Sequence, residues 1–262
     1  MYLAQGIYRP YAQPALRLPN VRQWLEAISF TDQDTPDLTG VAAAADGASY
    51  TTPSWTPPTS GIVAVCVANR IANPGNKPTL TGNGMTWTEV ATLSDDPGAA
   101  HRLTWFLAAC IASPATEAVT IDFAAQTQLS CNASFFSVTG VDISGGLAAA
   151  VVQAPFTSGT NTTGTITFAA AGHADNRAVC AWFHQANEGT NEDTTNGWTE
   201  IDDQAGTGPT RGFQTQWLAT GVANNTSTWT TSSAYIGLGL ELKATVAGGT
   251  VKVQRLLTLG VG

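Results

Sequence analysis

The chain has 262 residues, enough for one large β domain or two modest ones, and enough to bury a core without covalent staples. Only 11% of residues are charged, against about 25% in an average globular protein, yet 43% apolar content with eight Trp and nine Phe excludes a disordered chain. The net charge of −8 argues against nonspecific nucleic-acid binding, which needs basic surface.

Residues 1–45 read as an extended arm. Prolines at 10, 14 and 19 in MYLAQGIYRPYAQPALRLPN forbid a long helix and favour extended backbone. Tyr2, Tyr8 and Tyr11 suit a contact surface better than a solvated tail, and Arg9, Arg17 and Arg22 precede the first acid, Glu26. VRQWLEAISF (21–30) fits two helical turns or one strand, and TDQDTPDLTG after it reads as a loop. MYLAQGIYRP has neither a basic n-region nor a long apolar core, so the expectation is a chain without a signal peptide, assembled in a reducing cytoplasm. No apolar run is long enough to span a membrane.

From residue 46 to 245, short apolar runs alternate with Gly, Pro, Asn and Asp, the all-β pattern. The expected strands are SYTTPSW, GIVAVCVAN, MTWTEVATL, RLTWFLAACI, AVTIDF and CNASFFSVTGV, then, after a link at 143–162, GTITFAA, RAVCAWFH, GWTEI, GFQTQWLATGV, STWTT and SAYIGLGLELK. The two lists match in order about 110 residues apart: Cys66 with Cys180, Trp87 with Trp198, Trp105 with Trp217. A twofold internal repeat follows, with halves at 50–142 and 163–243, each of six short strands. The architecture it predicts is an all-β, jelly-roll-like two-sheet sandwich, with the link as a crossing connection. Residues 246–262 form a tail, in which Lys252 and Arg255 follow the last acid and VKVQRLLTLGV has the pattern of a strand that adds to a neighbour's sheet edge.

Chemistry-bearing motifs are sparse. Cys66, Cys110, Cys131 and Cys180 sit in apolar runs without a CxxC pair and read as buried free thiols. His101, His173 and His184 belong to no hydrolase, zincin or phosphate-loop pattern, and a nucleophile–base pairing of His184 with Cys180 lacks an orienting partner. Asp32, Asp34 and Asp37 could offer loop oxygens to Ca²⁺, but the glycine and terminal Glu of an EF-hand are missing, and a solvated loop is the simpler reading. NEGTNEDTTNGWTEIDD gathers six carboxylates in one turn; a glycosidase would need two of them flanking a cleft, whereas a solubilising loop needs nothing more. No cofactor is expected.

NGMTWTEV (83–90) and NGWTEI (196–201) carry the sharpest pattern. Asn-Gly predicts a tight turn with positive φ before each Trp strand. On a strand Trp and Glu share one face, and Thr and the β-branched residue share the other. A deeply buried Trp would take Glu89 or Glu200 in with it, so the expectation turns Val90 and Ile201 inward. Trp87 and Trp198 are then left on a half-covered surface, as a seam contact or a glycan-stacking platform.

Taken together, the arm IYRPYAQP, the Thr/Ala/Gly-rich body with its repeated NG-WTE[VI] strands, the strands RLTWFLA and FQTQWLA and the closing LTLGVG resemble virion structural proteins of tailed bacteriophages: capsid decoration, minor capsid or tail-associated β-sandwich proteins. The resemblance implies a non-enzymatic, homo-oligomeric virion component assembled in the host bacterial cytoplasm. Its partners would be capsid or tail subunits, the head being favoured, with neither nucleic acid nor membrane. Tyr2, Tyr8, Arg9, Tyr11, Arg17, Arg22, Lys252 and Arg255 would do the docking. The alternative is a carbohydrate-binding, lectin-like module such as a tail receptor-binding protein.

Overall fold

The computed structural model describes residues 27–33, 36–37, 45–71, 76–94, 101–207 and 209–245. Long apolar runs punctuated by Gly and Asn fold as strands throughout; among the described residues the helical turns are two short 3-10 turns, Ala148–Ala150 and Thr194–Asn196. The first half of the chain supplies β1 (Ser29–Asp32), β2 (Ser49–Thr51), β3 (Ile62–Arg70), β4 (Thr79–Gly82), β5 (Thr88–Ser94), β6 (His101–Ala109), β7 (Val119–Asp122) and β8 (Ser130–Thr139). The second supplies β9 (Val151–Gln153), β10 (Phe156–Ile166), β11 (Arg177–His184), β12 (Trp198–Thr207), β13 (Thr210–Leu218) and β14 (Asn225–Leu242).

Two large antiparallel sheets form the sandwich. The first runs β1-β8-β3-β6-β5 and the second β10-β14-β11-β13-β12, with β9 alongside β14. Each half of the chain therefore builds its own sheet. A jelly roll exchanges strands between its sheets, and the described strands make no such exchange. The sheets face each other with β1 over β12 and β5 over β14. Between them lies the main core, with Trp105 fully buried and its indole N–H donating to Leu238 O at 3.1 Å across the sandwich.

Both sheets are also covered on their outer faces. In β3, Ile62, Ala64 and Cys66 face the main core, while Val63, Val65 and Val67 face a third sheet of order β2-β7-β4. That double duty explains why IVAVCVA is apolar at every position rather than alternating. The second sheet is covered by its own strands. Near its C-terminal end β14 pairs with β11, Arg177 opposite Leu242 and His184 opposite Tyr235. Its N-terminal end folds back over that sheet's outer face: Asn225 Oδ1 accepts from the Trp182 indole at 2.6 Å, and Gln216 Nε2 donates to Ser227 Oγ at 2.8 Å. The bend coincides with a shift in the β10–β14 register between Asn161 and Thr163.

Several expectations change. The link at 143–162 is no bare crossing; its second part is β9 and most of β10. STWTT and SAYIGLGLELK are one continuous strand. β1 lies inside the stretch read as an arm, because Phe30 finds a buried place between Phe136 and Trp217, at ring-centroid distances of 5.9 and 5.0 Å. The proposed equivalence of Cys66 and Cys180 fails on facing: Cys66 points into the main core and Cys180 into the outer one. The strand orders β8-β3-β6-β5 and β14-β11-β13-β12 do correspond, and the WTE strands of both sheets carry a bulge after the Glu, at Val90 and at Ile201.

Candidate functional site

The most distinctive part of the molecule is the end where the described chain enters and leaves the sandwich. Ser29 of β1 pairs with Thr139, and the next residue, Gly140, accepts from both the N–H and the hydroxyl of Thr245 at 2.9 and 3.0 Å. The exit is stapled there: Asp142 N donates to Lys243 O at 2.8 Å, Lys243 Nζ meets Asp142 Oδ2 at 2.9 Å, and Val141 bridges Ala244. Hydrogen bonds from Ser144 and from Lys243 hold the Asp142 carboxyl below the usual carboxylate range. Ser29 and Thr245, near the two ends of the described chain, therefore lie side by side.

Exposed apolar residues gather toward the same end. Ile111 follows β6, Ile143 follows β8 and Val152 lies on β9. Phe156, 65% exposed, opens β10. The docking residues predicted from sequence, Tyr2, Tyr8, Arg9, Tyr11, Arg17, Arg22, Lys252 and Arg255, lie outside the described residues, as does Asp34. No sequence signal marked the Asp142–Lys243 staple, whose partners lie far apart in the chain.

The Trp87 and Trp198 expectation is half met. Val90 and Ile201 do turn toward the main core, and both Trp residues lie on the outer faces. Those faces are roofed, however. Trp198 is 2% exposed, tilted against Phe168 with centroids 6.1 Å apart, and its indole donates to Asn224 O at 3.0 Å. Trp87 is half-buried, edge-on to Phe135. Each joins a sheet to its cover, and Trp198 presents no open face to a sugar ring. The accompanying Glu residues find polar partners at the margin: Glu89 pairs with Lys77 at 2.8 Å, and Glu200 accepts from Gln214 Nε2 at 2.8 Å. Asn83 and Gly84 take φ of 57° and 65°, as the turn expectation requires, but at the second copy only Gly197 is left-handed, ending a 3-10 turn.

The acidic stretch fastens loops to sheets, although Glu200 and Asp203 also remain exposed to solvent. Carboxylates are acceptor-only groups, well matched to the unpaired N–H groups of irregular backbone. Asp193 accepts from Thr226 N at 2.7 Å and from Asn196 Nδ2 at 2.7 Å; Glu192 accepts from Glu200 N at 2.9 Å; Glu188 accepts from Thr231 N at 2.6 Å at the bend of β14. Asp203 accepts from Thr190 N at 3.2 Å, and burial pushes its carboxyl up to about 6.

Asp37 corrects the solvated-loop reading most sharply. It is largely buried at the seam between β8 and β12, accepts from Phe135 N at 2.7 Å and hydrogen-bonds the Asp202 carboxyl. Burial first, then the charges of Asp202 and Asp32, push it up to about 9. It belongs to a polar strip between the sheets in which Asn132 Nδ2 donates to Gln204 at 2.6 Å, Arg211 Nε donates to Asn132 at 2.8 Å, and Ser134 meets Thr215 at 2.9 Å. Among the described residues no group of three or more His, Cys, Asp or Glu side chains is arranged to hold a metal ion.

His184 and Cys180 share the outer face of β11 without facing a nucleophile's task. The imidazole stacks on Trp229 at 4.8 Å, accepts from Ala186 N and so donates from Nε2 to Thr190 Oγ1 at 3.0 Å. Burial lowers it to about 4, which keeps the ring neutral at pH 7, and burial raises the Cys180 thiol well above its ordinary value. Comparison of the chain with protein-family models, with curated proteins and with solved structures gives no match.

Proposed function

We propose that this chain is a non-enzymatic structural protein of the tailed-phage virion type, a sandwich held in a larger assembly through the two segments that flank it. The observation that carries the docking reading is the convergence at one end: Ser29 and Thr245 flank the same short turn, Thr139 and Gly140, with Ile111, Ile143 and Val152 exposed nearby. Two chain segments anchored side by side engage a partner as a bivalent clamp, where the second contact forms at high effective concentration. The virion assignment rests on the sequence resemblance. The shared strand order and shared bulge support reading the two sheets as related halves.

The test is incorporation into particles. Chains lacking residues 1–26 or 246–262 are expected to keep the far-ultraviolet spectrum of the full chain and to lose co-purification with particles. Truncated chains that incorporate as well as the full chain overturn the docking reading. Particles that assemble normally without the protein, and never contain it, overturn the virion assignment.

A further inference from the structure

We propose that the open edge of β10, from Phe156 to Asn161, is the docking site for residues 250–259 of a second copy of this chain, which add there as an antiparallel strand.

The edge is unusual for what it lacks. A strand at a sheet edge presents unpaired N–H and C=O groups, and edges are commonly blunted by charge, Pro or brevity. Among the described edge strands longer than four residues, β5 carries Glu89, and β12 carries Glu200, Asp202 and Asp203. β10, FTSGTNTTGTI, has no charged residue and no Pro across 11 residues. Its first six residues pair with β14 without a break in register, so its other side is straight, and it is open among the described residues. Phe156 lies opposite Leu238, on the side of the main core, and is 65% exposed at the margin of that core.

The chain outside the described residues contains a segment that fits. Seventeen residues follow Thr245, and within them TVKVQRLLTL places Val251, Val253, Leu257 and Leu259 at alternate positions, with Arg255 between the two apolar pairs on the same face. On an added strand the two apolar pairs would extend the core margin over Phe156, and the Arg255 stem would cross that face to reach solvent. The segment carries Lys252 and Arg255 and no acid, which suits a body that holds the net negative charge.

Direction selects the second copy over the same chain. The tail leaves at the Leu242 end of β14, the end from which β9 and β10 also start. A tail returning along β10 of its own subunit would run parallel to it, whereas every strand pair described is antiparallel. A neighbour's tail is free to enter from the other end, in the slightly stronger pairing. Tail-to-edge contacts close a dimer when two copies exchange tails, and build rings or filaments when they run head to tail.

This inference rests on the docking reading, by naming one receptor for the tail. The test uses purified full-length chain alone, so it can fail while particle incorporation succeeds, and the reverse. Exchange of the amides in 156–161 that do not face β14 is measured at high concentration and at high dilution, beside light scattering, for the native chain and for Val253→Pro, which removes a strand donor. The expected result is an oligomer at high concentration with slow exchange at those amides. Dilution and Val253→Pro should each release monomer and speed that exchange at least roughly tenfold. Exchange that is equally fast in every sample overturns the proposal. Slow exchange that persists in the diluted monomer and is lost in Val253→Pro assigns the edge to the chain's own tail, and also overturns it.

Discussion

Asp37 shows how far a single residue's environment can depart from its sequence neighbourhood. TDQDTPD reads as solvated, yet Phe135 N donates to Asp37 Oδ1 and the Asp202 carboxyl lies against the same group, an arrangement in which a proton held on Asp37 can bridge the two. With a folded value of about 9 against 3.8, the folded chain holds an extra proton between those limits, and stability falls as pH rises through that window. Asp37→Asn keeps a hydrogen-bond donor toward Asp202 without the titration. Its thermal midpoint is therefore expected to exceed that of the native chain by more at about pH 9 than at about pH 5. Identical pH slopes for the two proteins would sink the shared-proton account. The cysteines give a second residue-scale prediction. Cys66, Cys131 and Cys180 are fully buried, and Cys110 is half-buried with its thiol pushed up to about 11. Native protein should expose one slowly reacting thiol to a maleimide, and all four should react on unfolding; a second fast thiol in the native state would contradict the packing.

Among the elements, β14 departs most from its sequence appearance. Eighteen residues long, it serves two layers, and Trp182 is one of the residues packed between them. A Cβ on Gly164 would come within 2.5 Å of the Trp182 ring, and one on Gly237 within 2.6 Å. The ring is fully buried and packed against both glycines, which leaves it little room to yield. Gly164→Ala is therefore expected to cost about 1–3 kcal/mol by overpacking, read as a shift in the denaturant midpoint with an unchanged slope. A neutral result would mean that the fold-back is loosely packed. Gly159, also on β10, meets only the Tyr235 ring end at 3.2 Å, so its Ala variant serves as the milder control. The WTE strands were more legible. Their alternation placed Trp and Glu on one face and the β-branched residue on the other, and the bulge after Glu preserves that arrangement in both sheets.

At the scale of the whole molecule, the main core joins the two halves into one unit. It takes Trp105, Phe136 and Cys66 from the first sheet and Phe183, Phe213 and Leu238 from the second, and the polar strip of Asn132, Gln204 and Arg211 continues the seam. Calorimetry of the chain is accordingly expected to give one cooperative transition, with calorimetric and van't Hoff enthalpies in agreement. Two resolved transitions would mean that the sheets fold as separate lobes. The strand content, the inward turn of Val90 and Ile201 and the free thiols could be read from the sequence, because period-two alternation and apolar runs act locally. The outer roofs, the burial of Trp198, the Asp37–Asp202 contact and the meeting of Ser29 with Thr245 could not. Each depends on which strands become neighbours, and the pairing of residues far apart in the chain is decided by closure of the core rather than by any local pattern. The sequence by itself determined the class of structure and most of its strands, because apolar runs and alternation act locally; tertiary structure alone decided which faces are covered and that the described chain enters and leaves at one end, because both depend on which distant strands become neighbours.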